Sequence, residues 1–154
     1  EFKTFLKLSP PLRLEEDRVS LVKGIKENLI DVIVSDHIPE DEESKRLPFS
    51  QAATGAIGIE TLLPLALEMY HNESLPLNKI IETLTINPAK ILQINKGTLS
   101  KGSDGDICVL DLDKPWAVKA EKLKSKSKNT AIEGRNLQGK VLMTFLNGEL
   151  VFNQ

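Results

Sequence analysis

The stretch Ile30-Asp31-Val32-Ile33-Val34-Ser35-Asp36-His37 decides how this 154-residue chain is read. Its first five residues are apolar and mostly β-branched apart from Asp31, as in a strand buried on both faces of a parallel sheet. The run then stops at a polar Ser-Asp-His. Upstream, Leu14, Leu21, Val22, Ile25 and Leu29 recur at about helical spacing, with Glu15, Glu16 and Asp17 in the first turn, where carboxylates complement the helix dipole. Ser9-Pro10-Pro11 separates this helix from the alternating apolar start Phe2, Phe5, Leu6, Leu8. The residues before the prolines begin without Met and in mid-pattern, as at a cut edge. A helix, a buried strand with a polar end and then a long loop is how a β/α barrel presents catalytic groups, because its active site sits at the C-terminal ends of the strands.

Residues 38–57 are polar, carry Pro39 and Pro48 and keep no period, which predicts a long loop of the functional kind. From Gly58, the positions Ile59, Leu62, Leu63, Ala66, Leu67 and Tyr70 fit one helix face, with Pro64 tolerated in its early turns. Helices are also expected over 78–84 and 88–94, the second with Asn87 as N-cap and Pro88 at its first position. Beyond Lys96-Gly97 the pattern shortens. Asp106–Leu112, Trp116–Val118, Lys140–Leu146 and Glu149–Phe152 read as strands, with Asn147-Gly148 as a hairpin turn. Lys119–Asn129, rich in Lys and Ser, reads as a solvated loop. There is no internal repeat.

Hydrophobic residues make up 40% of the chain and charged residues 27%, enough for one substantial core. A formal charge of −2 leaves no electrostatic footprint for nucleic acid or an anionic membrane, so a small molecule is the expected partner. No apolar stretch is long enough to span a bilayer. The single cysteine, Cys108, lies in the apolar run 107–110, where a thiol acts as a small hydrophobe, and it can form no internal disulfide. Both features suit the cytoplasm.

Asp36 is the prime candidate for chemistry, with a turn or N-cap aspartate as the competing reading. The side chain of His37 should point away from that of Asp36 if the strand still alternates, which suits a structural or supporting role. His71 falls past the end of a helix, where an exposed position is expected. Neither histidine has a partner at H-x-H or H-E-x-x-H spacing. The acidic run Glu40–Glu43 reads as a solvated face rather than a cation site.

Pro10-Pro11-Leu12-Arg13, Asp31–Pro39, Lys45–Phe49 and Gly55-Ala56-Ile57-Gly58-Ile59-Glu60-Thr61 resemble successive blocks of the dihydroorotases of the amidohydrolase superfamily. So do Asn87–Leu92, Lys96–Leu99, Gly105-Asp106-Ile107 with Trp116, and Asn129-Thr130 with Glu133-Gly134. The blocks cover nearly the whole chain in order, and allantoinases and hydantoinases share much of them. The resemblance implies the C-terminal part of a TIM-type (β/α)8 barrel over residues 1–95. A β-rich segment of a composite sandwich follows over 96–154.

By the same resemblance, the activity is the zinc-dependent, reversible cyclisation of N-carbamoyl-L-aspartate to L-dihydroorotate in pyrimidine synthesis. One or two zinc ions are implied, most of their ligands lying outside this segment. Asp36 matches the aspartate that ends the last barrel strand, a metal ligand and general acid/base that takes a proton from metal-bound hydroxide and gives it to the departing ring nitrogen. Thr54 and Gly55 match backbone groups that hold the substrate. Ser9 stands where an Asn is usual and Glu40 where a substrate-facing His is usual, and a carboxylate there would repel an anionic substrate. The implied partners are the substrate, the remainder of the same barrel, and either a second copy or aspartate transcarbamoylase, which some dihydroorotase-like chains serve as non-catalytic scaffolds.

Overall fold

The computed structural model describes residues 2–154. The start of the chain does not extend as a strand: Thr4–Leu6 make a 3-10 turn. Helix α1 spans Glu15–Lys26. Its acidic first turn does more than complement the dipole, because the Leu14 N–H donates to the Asp17 carboxylate at 3.0 Å and leaves one fewer orphan donor. The helix ends three residues earlier than its apolar spacing suggests. Asn28 takes the left-handed conformation at φ 59°, and the Leu29 and Ile30 amides fold back to the Gly24 carbonyl at 2.8 and 3.2 Å.

The expected strand over 30–34 is extended chain without a ladder. A strand exists by pairing with neighbours, and among the described residues no parallel neighbour lies beside it. Its anchors are helical instead: the Ile33 N–H donates to the Thr83 carbonyl at 3.2 Å, and Asn87 Nδ2 to the Asp31 carbonyl at 2.9 Å. The first bridge of sheet type comes at the polar end, where His37 pairs in parallel with Ala56.

The long loop contains a short helix, α2 (Glu42–Arg46), in which the acidic run supplies the first turn and Lys45 faces inward. Helix α3 (Leu62–His71) begins only after the turn 59–61, later than the apolar pattern from Gly58 suggests. Helices α4 (Leu77–Leu84) and α5 (Ile86–Ile91) are separated by Thr85 alone. Thr85, not Asn87, is therefore the N-cap of α5, and the Asn87 amide is spent on Asp31. Ile25, Ala66, Leu75 and Ile80 form a core under these helices, with Val22, Ile30, Ile33, Met69 and Leu84 against it. Fully buried Ile80 alone contributes about 1.5–3 kcal/mol relative to an exposed side chain.

Three antiparallel strands follow in the order β1 (Ile107–Ala117), β2 (Asn136–Leu146), β3 (Glu149–Asn153). The two strands expected over 106–118 are one. The break between them is a register irregularity from Asp111 to Pro115, where Asp111 Oδ1 accepts the Asp113 and Lys114 amides at 3.1 and 3.0 Å. Asn147-Gly148 does turn the β2–β3 hairpin, both residues with positive φ as a two-residue loop of this kind requires. Cys108 is exposed rather than packed, as are Ile107 and Val109 on either side of it in β1.

Ile57, Val118, Leu123 and Leu137, with Leu65, Trp116 and Ile132, tie the sheet to α3. The segment 119–129 is tied down too. The Glu60 carboxylate accepts the Lys124 and Ser125 amides at 3.0 and 3.1 Å, and Lys128 Nζ donates to the Leu123 and Ser125 carbonyls at 2.8 and 2.9 Å.

The hairpin carries a pH-dependent clasp. Asp106 Oδ1 accepts the Asn147 amide at 2.8 Å while Lys96 Nζ contacts its other oxygen at 2.5 Å, and these two, the amide first, hold the carboxyl below its usual range. A carboxyl with a native pKa below its unfolded value stabilises above the unfolded value, and that contribution is lost as pH falls through the native one. Hydrogen-exchange protection factors at Asn147 and Gly148 should drop across that acidic window in the wild type. Asp106→Asn should show lower protection above the window and no such drop, and an unchanged drop would put the titrating group elsewhere.

Candidate active site

Three stretches that are remote in sequence run side by side here. The Ile38 amide donates to the Ala56 carbonyl at 2.9 Å, the Ile57 amide to the Asn129 carbonyl at 3.3 Å, and Ile57 bridges Thr130 in parallel. Glycine is required where the first two meet. A Cβ on Gly58 would stand 2.7 Å from the Ser35 carbonyl oxygen, and one on Gly55, at φ +136°, would stand 2.5 Å from Ile38 Cγ2.

Beside this seam opens a cleft of about 730 Å³. Ser9, Asp36 and Gly55 line it, with Ile33, Leu62 and Met69 among its apolar walls. Asp36 is exposed at the lip and holds φ 42°, a left-handed conformation that Asp tolerates better than most residues and that often marks functional sites. The cationic residue of the lining, Arg135, is already paired: its Nη2 contacts both oxygens of Glu68 at 2.8 and 2.7 Å.

The structure thus brings Ser9, Asp36 and Gly55 to one cleft and leaves Thr54 and Glu40 outside its lining. Gly55 meets the cleft with both polar backbone groups engaged inside the protein. Its N–H donates to the Lys7 carbonyl at 3.0 Å, and its carbonyl accepts Lys45 Nζ at 2.9 Å and Asn129 Nδ2 at 3.4 Å. Glu40 acts elsewhere: its charge helps keep Lys45 protonated against the burial that pushes that ammonium's pKa down.

His37 has the supporting role expected of it. Its Nδ1 accepts the Gly58 amide at 3.1 Å and the Ile59 amide at 3.4 Å, which fixes the tautomer with the proton on Nε2. His71 is half-buried, not exposed, because it ends α3 against Tyr70 and its Nε2 is enclosed without a partner. The burial of Lys45 and Asn129 against the Gly55 carbonyl was not legible from their chemistry, since a lysine in a polar loop carries no local signal of burial.

The sequence profile of the amidohydrolase family matches residues 8–151. The chain belongs to the amidohydrolase family. Among curated proteins it is 44% identical to a dihydroorotase of Ehrlichia chaffeensis over 95% of this chain and 33% of that protein. It is 42% identical to a dihydroorotase of Aquifex aeolicus, over 95% and 34%. Among solved structures, the L-hydantoinase (dihydropyrimidinase) of Arthrobacter aurescens superposes with a TM-score of 0.88 at 34% identity, over 99% of this chain and 35% of that one. The dihydropyrimidinase of Brevibacillus agri reaches 0.90 at 24% identity, which speaks for the fold. This amidohydrolase chain spans about a third of the length of the curated relatives it matches.

Amidohydrolases of this kind are generally metal-dependent. Among the described residues no three His, Cys, Asp or Glu side chains converge on a point that could hold an ion. Asp36 offers one carboxylate, and Nδ1 of neighbouring His37 is already occupied by backbone amides. The residues of this chain do not fit a complete metal site by themselves. No helix among the described residues is long and apolar enough to cross a membrane.

Proposed function

We propose that this chain is the closing third of a dihydroorotase, with residues 1–95 ending the hydrolase barrel and residues 96–154 contributing strands to a composite sandwich. The observation that carries the reading is the Asp36 carboxylate at the lip of the cleft, at the end of the extended segment that enters it. A carboxylate so placed, exposed and within reach of a ring held in the cleft, can take a proton from the water that adds to the ring carbonyl carbon and deliver it to the ring nitrogen as the amide C–N bond breaks, the same transfers running in reverse, with water released, on closure. The apolar walls exclude water from one side of such a ring. Zinc belongs to this reading only with ligands from the rest of the barrel, to which Asp36 would add one. A single cysteine and a near-neutral charge fit a cytoplasmic enzyme of a small metabolite.

The test joins this chain to the N-terminal two thirds of the Ehrlichia chaffeensis relative and measures the opening of dihydroorotate, hydantoin and allantoin. Turnover highest on dihydroorotate is the expected result. A preference for hydantoin or allantoin would move the chain to those branches. No turnover of any of the three, with retained affinity for aspartate transcarbamoylase, would make it a scaffold, as the departures at Ser9 and Glu40 allow.

A further inference from the structure

We propose that Lys45 is a positioning residue for the candidate active site: its buried ammonium cross-ties the chain on three sides of the Gly55 turn and fixes that turn beside Asp36. Lys45 is 0% exposed, unusual for a lysine without a paired carboxylate. Its Nζ donates to three carbonyls, those of Lys7 at 3.2 Å, Ala53 at 3.0 Å and Gly55 at 2.9 Å, which uses all three protons of an ammonium. Two of these partners bracket Thr54. The third, Lys7, also accepts the Gly55 amide, so ammonium, Lys7 carbonyl and Gly55 close a ring of hydrogen bonds. Asn129, equally buried, adds Nδ2 to the Gly55 carbonyl at 3.4 Å and to the Ile38 carbonyl at 3.1 Å.

The ties are directed at the site rather than spread through the core. Lys45 contributes no donor to the cleft; of its partners, Gly55 lines the cleft, Lys7 stands between the lining residues Leu6 and Leu8, and Ala53 precedes Gly55 by two residues. Fixing φ +136° at Gly55 in this way leaves the turn little freedom next to Asp36. The family departure at Glu40 also gains a purpose, because its negative charge acts on Lys45, outside the cleft lining, and favours the charged ammonium that burial disfavours.

The inference rests on the reading of the cleft as a cyclic-amide site, so the experiment has one arm that needs activity and one that does not. Lys45→Met keeps the length of the side chain and removes its donors. In the assembled enzyme it should raise KM for dihydroorotate about tenfold or more while kcat per folded site changes less than threefold, because a loosened turn binds substrate poorly without touching Asp36. A merely structural lysine would lower the amount of active enzyme and leave KM where it was.

In the second arm, hydrogen exchange at the Gly55 amide, which is bonded to Lys7, should speed up at least tenfold in Lys45→Met, with helix α4 unchanged. This arm reads the turn whether or not the parent turns over any cyclic amide. If Lys45→Met does not fold, Asn129→Leu removes the weaker of the two donors to the same carbonyl and should shift KM and Gly55 exchange in the same directions by less. Unchanged Gly55 exchange in the folded variant, or a fall in active enzyme at constant KM, overturns the proposal. Failure of the parent on every substrate, with Gly55 exchange responding as stated, leaves the positioning role standing and overturns the function instead.

Discussion

Asp36→Asn in the assembled enzyme should lower kcat for dihydroorotate by roughly two to four orders of magnitude, the usual share of a positioned acid/base group. The fold should survive, for a reason visible in the backbone. Asp36 sits at φ 42°, and asparagine accepts that left-handed conformation as readily as aspartate does. Its amide also matches the carboxylate in size, and the exposed lip has no packing to disturb. What is lost is an oxygen that can carry a proton. Kinetics and a thermal melt on the same preparation check this: a Tm within a degree or two of wild type with the loss of kcat is the expected pair. A variant keeping more than a tenth of its activity would make Asp36 a turn residue, the alternative that its sequence context leaves open.

Gly55→Ala should be strongly destabilising. The new methyl would lie 2.5 Å from Ile38 Cγ2 and 2.8 Å from Ile38 Cβ, so backbone or core must move. It would also sit at φ +136°, where a residue with a Cβ is strained by about 1–3 kcal/mol. Overpacking adds about 1–3 kcal/mol more. Together these are a large share of the stability of any domain. Gly102→Ala is the control, since Gly102 has φ +90° but nothing within 4 Å of the added carbon. Thermal melts of the two variants should show Gly55→Ala falling several degrees further than Gly102→Ala. Equal losses would mean that the close approach of Ile38 does not constrain the protein.

Helices α1, α3 and α4 were legible because each buries apolar residues in the core around Ile80, and a 3.6-residue period in the sequence reports that directly. The hairpin was legible because Asn147-Gly148 states its own backbone requirement. Other features were not, since they depend on partners remote in sequence. Residues 30–34 have the composition of a strand, but a ladder needs a neighbour, and composition cannot name one. Asn87 looks like an N-cap, yet the Asp31 carbonyl, 56 residues away, takes its amide. Asp36 stood out as a candidate from its place at the end of an apolar run, and it lines the cleft. Lys45 could not be found this way, because three backbone carbonyls explain its burial and carbonyls leave no trace in a sequence.

The seam that forms the cleft wall also orders events in time. Its longest-range tie joins Asn129 to Ile38 across 91 residues, and the Glu60 carboxylate reaches amides 64 and 65 residues away. Contacts of such separation close only after the intervening chain has been drawn in, so helices α1, α3 and α4 can form before this wall does. Sequence separation of this kind predicts a wall that closes late and depends on the segment around Asn129 staying in place. By reciprocity, a molecule that prefers the closed cleft holds that segment down with the same free energy by which the segment aids its binding.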